Sequence, residues 1–201
     1  IIIGHILKKK KLNNMKVATK FGQIDNFNNY NIQKNIDNSL KRLKLDQLDT
    51  YYFHSGSNSQ FFNDELWNIM NKNLDNGKIN KLGLSLKTSY LKKNCFDQIK
   101  KCKDYKISVV NIMFNPVIQN GKKIFKFCDT NNIELISRSP FLGGDIFKLK
   151  YKNLLKRRLR ILDNKYYIRN ILAWIRNYKA IRSIVFGVSS LDQLKFILSK
   201  K

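Results

Sequence analysis

The chain has 201 residues, with 39 Lys or Arg against 14 Asp or Glu, a formal charge of +25 at pH 7. That length suits one domain with a real core, and no apolar run approaches the roughly 20 residues that cross a bilayer as a helix. Its three cysteines form no CxxC pair, which argues against a disulfide framework or a zinc site; buried reduced thiols favour the cytoplasm. The first residue is Ile1 rather than Met, and the sequence reads as a piece of a longer chain.

In chain order, Ile1 to Leu12 reads as the tail of a helix, and Lys16 to Phe21 is the first β-rich run. Ile32, Ile36, Leu40 and Leu43 recur at helical spacing. A second strand, Asp49 to Phe53, precedes a stripe of Phe62, Leu66, Ile69, Met70 and Leu74, stopped by Gly77. The next strand, Lys81 to Ser85, is followed by Cys95, Phe96, Ile99 and Cys102 on one helical face. Ser108 to Met113 then alternates with the stripe Ile124, Phe127, Cys128, and Glu134 to Ser137 follows. An extra loop or helix is expected around Asp145 to Arg160. Ile168, Ile171, Leu172 and Ile175 make the next stripe, then the strand Ser183 to Phe186, then Leu191, Leu194, Ile197 and Leu198.

Several strands are near-continuous apolar runs, which suits a parallel sheet covered on both faces. Strand starts recur every 26 to 33 residues or so, widening to about 49 before the last. A (β/α)8 barrel repeats near 31 residues, from about 250 residues in eight units. The rival is an open doubly wound sheet, whose GxGxxG fingerprint is absent. The expected class is therefore α/β, of the (β/α)8 TIM-barrel type, with about six βα units, too few to close, in a single partial domain over residues 1–201.

Chemistry in such a fold sits at the C-terminal ends of the strands. The first strand ends in Lys20-Phe21-Gly22, with Val17, Ala18 and Thr19 before Lys20. An apolar setting would shift its pKa and suit proton transfer; equally, a strand-end lysine can reach into solvent. The second ends at His54, read either as a hydrogen-bonded core histidine or as a functional group. Ser85 ends the third strand, Asn111 lies on the fourth before Asn115-Pro116, and Arg138-Ser139-Pro140 closes the fifth. Gly187, Ser189 and Ser190 precede the last helix. Ser190 with Gln193 fits a capping box, and a Gly-Ser turn at a helix N-terminus also attracts phosphate.

These residues stand in longer strings. VATKFG at 17–22, SLKRLKLDQLDTYYFH at 39–54, NGKINKLGLS at 76–85, VVNIMFNP at 109–116, IELISRSPFLGG at 133–144 and SIVFGVSSLDQL at 183–194 follow one another. Together they resemble, in order, the motifs of the aldo-keto reductases. The resemblance implies a (β/α)8 barrel, here without its first strands, that uses NADPH or NADH to reduce a small-molecule aldehyde or ketone. It implies the catalytic lysine and histidine roles for Lys20 and His54. Ser85 and Asn111 fall where the family contacts the nicotinamide carboxamide. Arg138, with Ser139 beside it, falls near the nicotinamide ring, and Gly187, Ser189, Ser190 and Gln193 face the adenosine phosphate end. No metal is implied.

The sequence also departs from that pattern. The family's catalytic tyrosine and aspartate lie upstream of Lys20, and Tyr51 and Tyr52 do not replace them. Leu86 stands where an Asn usually follows the serine, the Asn expected near Ile197 is replaced, and no residue clearly selects a 2′-phosphate, so NADP is expected by family alone. The 201 residues by themselves are expected not to catalyse reduction. A non-catalytic scaffold binding a nucleotide or a protein is the second reading, and a basic nucleic-acid binder the third. Against the third, the basic residues are spread along the chain instead of gathered on one face. The denser runs, Lys8 to Lys11 and Lys156, Arg157, Arg158 with Arg160, read as solvated surface.

Overall fold

The computed structural model describes residues 2–9, 15–22, 31–54, 58–86, 96–159 and 167–199. The chain divides into two compact units, residues 1–86 with 94–110, and residues 87–93 with 111–201. Six strands, β1 (Ala18–Phe21), β2 (Leu48–His54), β3 (Ile79–Ser85), β4 (Ile107–Met113), β5 (Glu134–Arg138) and β6 (Ile181–Val185), line up in chain order in one sheet. Every expected strand is present, its ends shifted by a residue or two. Pairing is parallel at β1–β2, β2–β3 and β5–β6, as a crossover through a helix requires. The order has two ends, β1 and β6.

In the first unit α1 (Ile2–Lys9) occupies part of the expected opening helix. Helix α2 (Ile32–Leu43) buries Ile32, Ile36 and Leu40. It ends where Lys44 turns left-handed, φ 56°, and the Leu45 amide donates back to the Leu40 carbonyl at 3.2 Å, closing the orphan carbonyls of the last turn. The short α3 (Asn58–Phe61) leads to α4 (Asp64–Asp75), whose N-terminus is capped by Asn63 accepting from the Leu66 amide at 3.3 Å. That cap corrects one expectation. Phe62 lies before the helix and is exposed, and Trp67 takes its place on the buried stripe with Leu66 and Met70. Gly77, at φ +74°, ends the segment as its position predicted.

Tyr51 and Phe53 alternate onto one face of β2 and seed an aromatic cluster. Phe21 stacks on Tyr51 at 4.9 Å, Phe53 meets Phe61 edge-on at 5.6 Å, and Trp67 stacks on Tyr105 at 4.9 Å. The polar tips are satisfied: Trp67 Nε1 donates to the Phe61 carbonyl at 2.6 Å, and the Tyr105 hydroxyl donates to Asp64 at 2.9 Å. Burial first, then this carboxylate, pushes the Tyr105 phenol up to about 12. Helix α5 (Phe96–Lys101) precedes the buried Cys102; Cys95 lies outside the described residues.

In the second unit a 3-10 turn, Asn120–Ile124, enters α6 (Phe125–Thr130), which buries Cys128. A second 3-10 turn, Leu142–Phe147, and α7 (Leu149–Leu159) fill the expected insertion, whose last residue, Arg160, lies outside the described residues. Helix α8 (Tyr167–Arg176) buries Ile171, Leu172 and Ile175. Phe114, fully buried, gathers Phe125, Trp174 and Tyr178 at 5.2, 5.5 and 5.0 Å.

The last helix, α9 (Leu191–Leu198), corrects another expectation. It forms where its periodicity predicts, but no residue of it is buried. Leu191 is 64% and Leu198 66% exposed, and Val185 of β6 is 52% exposed. Among the described strands β6 stands last in the order and pairs with β5, so it has one strand neighbour there where a central parallel strand has two. Arg169 of α8 ties α9 down at its far end, donating to the Phe196 carbonyl at 3.1 Å and to the Ser199 hydroxyl at 2.6 Å.

Trp67→Ala removes the ring shared by three aromatic neighbours. It should cost about 3–5 kcal/mol of stability, read as a lowered urea midpoint in a titration followed by far-ultraviolet circular dichroism.

Candidate functional site

Parallel strands in register align equivalent residues on one face. Here Lys20 stands opposite Tyr52, Tyr52 opposite Gly83, and His54 opposite Ser85. Tyr52 and His54 are two residues apart, so Lys20, Tyr52, His54, Gly83 and Ser85 occupy one face of the β1–β2–β3 ladder. Phe21, Tyr51 and Phe53 take the other and feed the aromatic cluster.

The contacts agree with the register. Lys20 Nζ donates to Ser85 Oγ at 3.3 Å and sits 5.6 Å from the centre of the Tyr52 ring. The ring has room because position 83 is glycine: a Cβ there would overlap the Tyr52 ring. Gly83 therefore seats Tyr52, and Tyr52 with Ser85 seats the ammonium. Gly22, at φ +82°, turns the chain directly after β1, and a Cβ there would meet Phe53 and the His54 carbonyl at ordinary contact distance.

Lys20 itself is exposed, His54 half-buried and Ser85 buried. The apolar run before Lys20 does not enclose it; among the described strands β1 pairs with β2 and stands first in the order. The Ser85 hydroxyl and the Tyr52 ring face both stabilise the ammonium. Tyr51, on the opposite face, is driven well above the ordinary phenol range by burial.

The second unit holds the remaining candidates. Asn111 of β4 is buried, and its Oδ1 accepts no hydrogen bond from the described residues. Arg138 ends β5, where burial holds its guanidinium below the ordinary value. It stands opposite Val185 of β6, so the turn carrying Gly187, Ser189 and Ser190 starts beside it. That turn is exposed and doubly tied: Ser190 Oγ accepts from the Gln193 amide at 3.2 Å, and Gln193 Oε1 accepts from the Ser189 amide at 2.8 Å. The capping box is present, displaced by one residue at its return bond. Gln193 thereby occupies the Ser189 amide, and Ser190 occupies that of Gln193, leaving the Leu191 and Asp192 amides as the donors at this helix end. Ser139 adopts the left-handed region, φ 52°.

Sequence reasoning did not assign Tyr52, Gly83 or Asn115. Gly83 has a signal, a glycine inside an apolar strand, which marks close approach of another group. Tyr52 follows from it only once the register is known. Among the described residues no cluster of His, Cys, Asp and Glu could hold a metal ion, and no helix is long and apolar enough to cross a membrane.

The sequence matches the Aldo/keto reductase family over residues 1–199. The chain belongs to that family. It is 28% identical over 152 residues to the aldo-keto reductase yakc, NADP(+) type, of Schizosaccharomyces pombe, covering 68% of this chain and 42% of that one. It is 25% identical over 138 residues to a glyoxal reductase of Bacillus subtilis, covering 69% of this chain and 46% of that one. The chain thus spans less than half the length of either relative. Its fold is shared with the holo form of an aldo-keto reductase from Bacillus halodurans, at a TM-score of 0.76 and 19% identity, over 97% of this chain and 70% of the other.

Gly83→Ala should push the Tyr52 ring aside and cost about 1–3 kcal/mol. A thermal melt checks the stability, and near-ultraviolet circular dichroism should show the tyrosine band disturbed.

Proposed function

We propose that this chain supplies the lysine, the histidine and most cofactor contacts of an NAD(P)H-dependent aldo-keto reductase that reduces a small aldehyde or ketone. The observation that carries the reading is the Lys20–Ser85–Tyr52 arrangement, on the same strand face as His54. The family match supports it, and the relative whose name carries NADP(+) supports an NADP-type cofactor.

Residues of each unit, taken separately, offer groups that a nicotinamide cofactor would take. Asn111 offers a buried acceptor with no described donor, which suits the N–H of a carboxamide. Lys20 donates to the Ser85 oxygen, so the Ser85 hydroxyl proton remains to be donated onward. Arg138 presents a desolvated guanidinium able to lie flat on a ring. The Gly187–Ser190 turn and the N-terminus of α9 would receive a phosphate, with Ser139 and Gln193 as neighbouring polar groups.

When bound, the reduced nicotinamide supplies a hydride. The protein's own part is electrostatic and positional. His54 would hold the substrate carbonyl oxygen by hydrogen bond. Lys20, a cation beside a phenol, would stabilise the phenolate and bring a pKa near 10 toward the working range. The family's phenol and its aspartate have no assigned position among residues 1–201. Tyr51 does not fill that place, since burial drives its pKa upward and it faces the wrong side of β2.

Two outcomes test this. In the full-length protein, Lys20→Met should lower kcat with an aldehyde panel on the order of 10²-fold or more, with NADPH affinity nearly unchanged; unchanged kcat removes Lys20 from the chemistry. The 201-residue chain alone should show no NADPH consumption with the same panel, and measurable turnover would mean that the proton donor lies within it.

A further inference from the structure

We infer that Asn115 is a positioning residue: it clamps the turn after β5 so that Arg138 and Ser139 are held at the cofactor. The inference rests on the cofactor roles proposed above for those two residues. Asn115 is fully buried just beyond β4, and both polar atoms of its side chain are hydrogen-bonded. Oδ1 accepts from the amides of Val117 and Ile118 at 2.9 and 2.8 Å, and Nδ2 donates to the Ser139 carbonyl at 3.1 Å.

The first two bonds close the segment after β4 on itself, with help from the Asn115 amide donating to the Ile118 carbonyl at 3.0 Å. The third crosses to the neighbouring turn, at the residue whose backbone most needs holding. Ser139 lies at φ 52° without being glycine, a conformation that costs energy and persists only where its surroundings over-determine it. Its carbonyl accepts twice, from Asn115 Nδ2 and from the Leu142 amide at 3.1 Å. Leu142, Gly143 and Gly144 also have positive φ, and a Cβ on either glycine would touch nothing within 4 Å. Side-chain packing therefore does not set the glycine part of this turn; the Asn115 bond ties its start from outside, beside the Phe141 ring that meets Phe186 at 6.2 Å. Two residues before Ser139, Ser137 Oγ donates to the Phe114 carbonyl at 2.7 Å, a parallel link that fixes the strand but not the turn.

Asn115→Asp separates the functions. It retains acceptors for Val117 and Ile118 but loses the N–H given to Ser139 and sets a carboxylate against that carbonyl. In the full-length protein, NADPH is titrated by quenching of tryptophan fluorescence, with a thermal melt on each variant. Asn115→Asp should weaken NADPH about tenfold, equivalent to about 1.4 kcal/mol, and raise its KM alike, with kcat at saturating NADPH nearly unchanged. Ser137→Ala, which loses the parallel link, should melt lower with affinity unchanged. Asn115→Ser, uncharged and too short to reach Ser139, gives the same reading if a buried carboxylate prevents folding. Equal affinity in the Asn115 variants and the parent overturns the inference alone, as does an equal loss in Ser137→Ala. No NADPH binding by the parent overturns the proposed function and this inference with it.

Discussion

Register between parallel strands is the constraint on which the rest of the molecule depends. Strand side chains alternate with period two, so a slip of one residue in β2 would exchange its faces. Tyr51 and Phe53 would then leave the aromatic cluster, and Tyr52 and His54 would leave the face that carries Lys20 and Ser85. The greasy face specifies the register because burying Phe21, Tyr51 and Phe53 is worth several kcal/mol. The polar face inherits its geometry at no further cost. In this chain the site is a consequence of the core on the other side of the same strand.

Glycine refines what register begins. A side chain at 83 would collide with the Tyr52 ring, and one at 121 would collide with Ile112. In both places a missing Cβ lets a large side chain lie flat against the backbone. At position 83 the tyrosine so admitted is also the surface on which an ammonium rests, which joins packing to electrostatics.

The high positive charge has little to do with the fold. The described ion pairs, Asp37–Lys78, Lys101–Asp104, Asp75–Lys106 and Asp145–Lys148, all join exposed side chains. Such pairs contribute at most about 1 kcal/mol each. The energetic weight lies in apolar burial and in buried hydrogen bonds such as those of Asn115, Trp67 and Ser137.

Local pattern determined the alternation of strand and helix, since periods of 2 and 3.6 are written in nearest neighbours along the chain. It likewise picked out Lys20, His54, Ser85 and Arg138 at strand ends, Asn111 on the fourth strand, and Ser190 with Gln193 as a cap. Tertiary structure decided what those patterns could not. Phe62 reads as helical but precedes the Asn63 cap, and Trp67 is buried instead. The stripe of α9 is amphipathic in sequence yet open to solvent, because burial depends on what stands opposite, and among the described strands β6 stands last in the order. Lys20 follows an apolar run yet remains exposed on β1, first in that order. Which ring lies under its ammonium, and which amide holds Ser139, join residues 32 and 24 positions apart. Contacts of that range exist only once the strands have paired.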